Sequence, residues 1–233
     1  MRMIASSDVT PHRSHRGTCS APTGAGVVLP LLFVALGTSA ARADRYEAQW
    51  SARPLAGLAM LKEEGAPGDK RTPAGGLSIG VEYGISNRLD VGIELITIAT
   101  AMTELAKTPV LLDGGVEERY SLSRRAGTSM LLVGPTWRFG VSWVPVLSVA
   151  AGGGVRFRSA GRFNDLGFSP PEKASTMALD LGGSASVGIE RRVNRRVTVG
   201  GYLSALASWS PSAPVLPVAT VSFGISYVNY PLW

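Results

Sequence analysis

Leu77-Ser78-Ile79-Gly80-Val81-Glu82-Tyr83-Gly84-Ile85-Ser86-Asn87-Arg88-Leu89-Asp90-Val91-Gly92-Ile93-Glu94-Leu95 is the stretch that decides the fold. Its odd positions are apolar up to Ile85 and again from Leu89. The even positions between them are small or acidic: Ser78, Gly80, Glu82 and Gly84, then Asp90, Gly92 and Glu94. A period of two places the two sets on opposite faces of an extended chain. A helix would scatter Glu82 and Glu94 among the apolar residues. Ser86-Asn87-Arg88 has turn chemistry, so the stretch reads as two strands joined tightly.

The same alternation continues on both sides. Downstream, apolar positions run Leu131 to Phe139, Leu147 to Phe157, Met177 to Ile189, Val197 to Ala205 and Val221 to Tyr227. Small or polar residues stand between most of them. Upstream, Tyr46 to Met60 is the weakest example: Trp50, Ala52, Ala56, Leu58 and Met60 face one way, Glu47, Gln49, Ser51 and Arg53 the other. Pro54 marks an irregularity there. That gives eight strands, each near the roughly 9–11 residues a tilted membrane strand needs. Connections at Ser86–Arg88, Gly140–Val144 and Val193–Arg195 are short, whereas 62–75, 99–127, 159–174 and 209–217 are longer. Short turns at one end and long loops at the other is the layout of an outer-membrane barrel. Aromatics gather at strand ends, and Lys62, Lys70, Lys107 and Lys173 all fall in the expected long loops. Within 99–127, Thr108 to Asp113 and Val116 to Ser123 offer two further strands and a count of ten. Lys107, Glu117 and Arg119 interrupt their alternation, so a long loop, or a hairpin standing above the membrane, is preferred.

Composition agrees with a barrel wall. The chain is 45% hydrophobic, yet no run approaches the roughly 20 apolar residues of a spanning helix. Charged residues are 17%, against roughly 25% in a soluble domain. The N-terminus reads as an export signal. Arg13, His15 and Arg16 precede a short apolar core from Val27 to Leu36, and Ala41-Arg42-Ala43 is a small-x-small cleavage pattern. Residues 1–43 are therefore expected to be removed, leaving 44–233 as the barrel domain with Asp44 first. Removal takes Arg2, Arg13, Arg16, Arg42 and Asp8, which halves the formal charge of +6. The basic balance thus belongs largely to the signal, and nucleic acid is not an implied partner. Cys19, His12 and His15 leave with it, so the mature chain has no thiol and no imidazole.

At this point the chain resembles the small outer-membrane β-barrel proteins of the OmpX and OmpA membrane-domain type. The resemblance covers most of 44–233 and rests on pattern. The phrase Tyr83-Gly84-Ile85-Ser86-Asn87-Arg88-Leu89-Asp90-Val91-Gly92 looks like many barrel hairpins. Trp233 is similar to the C-terminal aromatic that the barrel assembly machinery recognises in that family, although Asn229 and Pro231 break the alternation before it. The resemblance implies an all-β, eight-stranded, antiparallel up-and-down transmembrane barrel in the outer membrane. Its expected partners are outer-membrane lipid, lipopolysaccharide and, during biogenesis, the assembly machinery. A monomer is expected.

An eight-stranded barrel is only wide enough to be filled by side chains. The inward charges Glu82, Asp90, Glu94, Arg138, Arg156, Arg158, Asp180, Glu190 and Arg192 are therefore expected to pair within the lumen. The alternative is a narrow channel or uptake pore for small polar or anionic solutes, with Arg156 and Arg158 at its mouth as anion attractors. A soluble periplasmic lipocalin-like barrel is a third reading. No catalytic, cofactor or metal site is expected. Barrel hydrolases use a His base, and the mature chain lacks one. Glu63, Glu64 and Asp69 read as solvated loop carboxylates that hold a hard cation at best weakly. Gly152-Gly153-Gly154 lies mid-strand without the Lys-Ser/Thr of a phosphate loop, so it reads as close packing. Arg124 and Arg125 read as a wet loop within reach of lipopolysaccharide phosphates. Arg191, Arg192, Arg195 and Arg196 flank a solvated short turn, with anionic headgroups or cell-wall polymer as alternative contacts.

Overall fold

The computed structural model describes residues 46–62, 69–111, 117–140, 142–163, 174–211 and 213–229. The expected signal segment, Glu63, Glu64, Lys173 and Trp233 lie outside them. Eleven strands run through the described residues: β1 (Ala48–Leu61), β2 (Lys70–Gly84), β3 (Leu89–Thr100), β4 (Thr103–Leu111), β5 (Glu117–Arg124), β6 (Ala126–Arg138), β7 (Trp143–Arg158), β8 (Arg162–Phe163), β9 (Thr176–Arg192), β10 (Val197–Ser210) and β11 (Ala213–Asn229). Eight of them close a barrel in the order β1-β11-β10-β9-β7-β6-β3-β2. All neighbours are antiparallel, and β1 pairs with both β2 and β11. Closure leaves no unpaired edge through the body of the wall, the start of β11 at its long-loop end excepted.

The two faces follow the alternation in the sequence. Leu131 is 52% exposed and its neighbour Leu132 is 0% exposed. On β9 the outward set is Met177, Leu179, Leu181, Gly183, Ala185, Val187 and Ile189, with no polar member. From Met177 to Ile189 the strand runs about 40 Å, which at a tilt near 40° is about 30 Å along the barrel axis. That matches the hydrocarbon thickness of a bilayer. No described helix is long and apolar enough to cross a membrane. The large apolar exterior is therefore the surface that lipid would cover.

Prolines interrupt the ladder without shifting it. β1 loses its pairing with β11 at Arg53 and Pro54, and the register resumes at Leu55↔Ser222. β6 does the same at Gly134 and Pro135 against β7. In each case a ring without an N–H removes a donor, and the flanking pairs hold the alignment.

The long-loop end differs from expectation in two connections. The 62–75 connection is shorter, because β2 starts at Lys70. The stretch 209–217 is no long loop, because β10 runs to Ser210 and β11 starts at Ala213. Pro214 and Pro217 fit this strand because the β11 ladder with β1 stops at Val218, leaving that side without a hydrogen-bonding partner. Lys70 consequently lies in a strand, and Lys107 lies in β4, outside the barrel. Residues 103–124 form the hairpin β4–β5, joined by the short β8 into a separate three-stranded sheet. The barrel therefore has eight strands and not ten. Leu105 and Leu122 are buried, and the Thr72 and Thr103 hydroxyls hydrogen-bond where hairpin meets barrel.

Candidate functional site

The lumen is the place where chemistry-bearing side chains converge, and it is layered. Nearest the short turns, Arg192 of β9 donates to both oxygens of Glu47, at 2.8 and 3.1 Å. One level in, Arg138 at the end of β6 sits among three carboxylates from three other strands. Its Nε donates to Glu190 at 3.0 Å, and its terminal nitrogens bond Asp90 and Glu82. Thr136 donates to Glu82 at 3.0 Å, and the Tyr202 hydroxyl donates to Glu190 at 2.6 Å. Arg53 of β1 lies 4.8 Å from the centre of the Tyr202 ring and donates to Glu94 at 2.8 Å. Ser78 also bonds Glu94.

Glycine makes this crowding possible. A Cβ on Gly188 would collide with the Tyr202 ring, and one on Gly224 with the Arg53 stem. The inward glycines of β9 and β11 are thus the space that a large aromatic and a long cation fill. The lower lumen keeps a small cavity of about 20 Å³ between Arg53, Glu82, Glu94, Thr136 and Ser148, room for about one water molecule.

Above these charges the lumen turns largely apolar, with Ser184, Ser204 and Thr220 as inward polar neighbours of the aliphatic side chains. Ile96, Ile98, Met130, Leu132, Leu206 and Val218 form one buried cluster with Ala59, Leu61 and Ala74. Met130 reaches across to Gly182, where a Cβ would lie 2.7 Å from its terminal methyl. Gly152 and Gly154 lie in the same region, and a Cβ on either would overlap a β6 carbonyl. Higher still, Arg156 donates to Asp180 at 3.0 and 3.2 Å, to Ser208 Oγ at 2.7 Å and to the carbonyls of Ser208 and Pro214. Thr128 donates to Asp180 at 3.1 Å. Arg158 donates to the Lys62 carbonyl at 3.3 Å.

The nine charges singled out from the sequence therefore fall into separate groups. Arg138 joins Glu82, Asp90 and Glu190. Arg156 joins Asp180. Glu94 and Arg192 take partners, Arg53 and Glu47, that the sequence places inside without assigning them a role. Arg158 pairs with backbone. Arg124, expected in a wet loop, is buried and donates to the carbonyls of Ser159 and Ala174 at 3.0 Å each, because the β4–β5 hairpin folds onto the barrel rim. Arg125 stays exposed. Two features go unmarked in the sequence reading: Tyr202 and the apolar plug. Both had a signal. Tyr202 shares the inward parity of Gly200 and Ser204, and Leu95-Ile96, Leu131-Leu132 and Ala205-Leu206 are places where both faces turn apolar.

A closed ladder of eight antiparallel strands, greasy outside and filled within, leaves one architecture. This is the fold of the small eight-stranded outer-membrane barrels. Among the described residues no group of three His, Cys, Asp or Glu is arranged to hold a metal ion. No family model matches the chain, and no curated protein matches it. Among solved structures it is similar to Ail, the attachment invasion locus protein of Yersinia pestis, in complex with the heparin analogue sucrose octasulfate. Identity is 14% and the TM-score 0.45, over 79% of this chain and 99% of that one. It is also similar to Neisserial surface protein A, at 14% identity and TM-score 0.43, over 77% and 96% of the two chains. A third likeness is to the outer membrane protein OprG from Pseudomonas aeruginosa, at 10% identity and TM-score 0.43, over 83% and 100%. These likenesses are distant, and the assignment of the fold rests on the closed ladder itself.

Proposed function

We propose that this barrel is a sealed, non-enzymatic anchor in the outer membrane. It stiffens the envelope and presents the β4–β5–β8 sheet for contacts at the cell surface. The observation that carries this reading is the filled lumen. The apolar cluster of Ile96, Ile98, Met130, Leu132, Leu206 and Val218 lies between two charged layers, and each charged layer is spent on internal pairs. A solute path needs a continuous polar lining, and a plug of aliphatic side chains interrupts it. Arg156, the best candidate for attracting anions, donates instead to Asp180, Ser208 and Pro214. Lipopolysaccharide is the natural partner for the exposed Lys62, Lys70, Arg71 and Arg125 at the long-loop end. The C-terminal aromatic Trp233 would serve assembly.

Conductance tests the reading. The purified full-length chain in planar bilayers is expected to give no stable single-channel steps. Steps that appear reproducibly, and vanish when Arg156 and Arg158 are neutralised, would establish a pore instead.

A further inference from the structure

The short-turn end carries a cluster that a sealed anchor does not require. Arg191 follows the inward Glu190 on β9, so alternation turns it outward. Its guanidinium lies 5.1 Å from the centre of the Trp143 ring on β7. The turn after β9 adds exposed Arg195 and Arg196, and Arg196 donates to the Tyr227 hydroxyl at 3.3 Å. Asn194 Oδ1 accepts from the backbone N–H groups of Arg196 and Val197, at 2.8 Å each, which fixes the turn. Val193 in the same turn is 61% exposed.

Among the described residues, the carboxylates of that end point the other way. Glu47, Glu82, Asp90 and Glu190 all pair inside the lumen. Among the described residues no carboxylate is exposed on the outside there. The other short turns carry Arg88 alone or no charge. Three arginines therefore concentrate over one hairpin, against an indole and a phenol. Such rings settle at the headgroup level of a bilayer. Guanidinium forks fit phosphate oxygens, and cations at that depth are drawn to anionic lipid.

We propose that the outer rim of the β9–β10 hairpin binds an anionic phospholipid of the periplasmic leaflet, with Arg191, Arg195 and Arg196 on its phosphate and Trp143 and Tyr227 at its glycerol level. This rests on the membrane reading above and adds the lipid class and the residues.

The test uses the full-length protein in phosphatidylcholine vesicles, with trace spin-labelled phosphatidylglycerol or spin-labelled phosphatidylcholine. Phosphatidylglycerol is expected to associate with the barrel about fivefold more strongly. The preference should fall to near parity in the combined Arg191→Gln, Arg195→Gln, Arg196→Gln variant and persist in Arg125→Gln at the opposite end. Heat-modifiable gel mobility establishes that each variant is folded. Equal association of the two lipids with a folded wild-type barrel overturns this site alone, as does a preference that survives the triple variant. So does loss of the preference to inorganic phosphate at matched ionic strength, which would mark a site for the bare anion. Retention on purified peptidoglycan with no lipid preference also overturns it. A chain that never inserts overturns this site and the membrane reading together.

Discussion

Arg138 donates to carboxylates on β2, β3 and β9, and all four side chains lie within the wall. Burying a charge is costly unless it is paired, and removing one partner leaves the others uncompensated. Arg138→Met keeps the bulk and removes the charge, stranding Glu82, Asp90 and Glu190 together. The expected loss is about 3–5 kcal/mol in urea unfolding from vesicles, and a loss under about 1 kcal/mol would show that these carboxylates need no counter-charge. At this scale much was legible. Alternation alone assigns Glu82, Asp90, Arg138 and Glu190 to the lumen, because a strand gives each side chain one of two directions. Their partners were not legible. A period of two says which face a residue takes and nothing about which strand stands across the lumen, so Arg53–Glu94 and Tyr202–Glu190 needed the closed ladder.

Strands show where the pattern succeeds and where it fails. Every strand read from alternation is present, with its apolar set outward. Val149 on β7 faces lipid and Ser148 faces in, where its hydroxyl meets that of Ser186 at 2.6 Å. Val149→Arg is therefore expected to cost about 2–4 kcal/mol in a folding assay in lipid. Ser148→Ala should cost about 1 kcal/mol, the worth of one hydrogen bond. Equal tolerance at the two sites would contradict the assigned faces. The adjacent pair Leu131 and Leu132 gives a second contrast. Leu132→Ala leaves a cavity in the plug and should cost about 2–5 kcal/mol. Leu131→Ala leaves a gap that lipid tails refill, so its cost should be clearly smaller in the same measurement. The sequence misled at strand ends. Pro211, Pro214 and Pro217 carry turn chemistry; Pro211 sits in the turn, and only the early end of the β1 ladder explains why β11 tolerates Pro214 and Pro217. The β4–β5 hairpin was legible as a possibility, but its β8 partner is two residues long, below what periodicity can detect.

The whole molecule separates charge along the barrel axis. Among the described residues, five lumen carboxylates and three arginines lie toward the short turns: Glu47, Glu82, Asp90, Glu94 and Glu190 with Arg53, Arg138 and Arg192. Arg124, Arg156 and Arg158 lie toward the long loops with Asp180. The aliphatic plug stands between the groups, which is why the sealed reading is preferred to a path for solutes. All of this presumes that the apolar exterior meets hydrocarbon. The direct test is heat-modifiable mobility of the full-length chain refolded into detergent micelles or vesicles. A barrel whose first and last strands pair through a ladder from Ala48↔Asn229 to Ala59↔Val218 should resist detergent until boiled. It is then expected to run as a compact fast band before heating and a slower one after. A single unshifted band from a chain that stays monomeric and soluble in water without detergent would contradict the account.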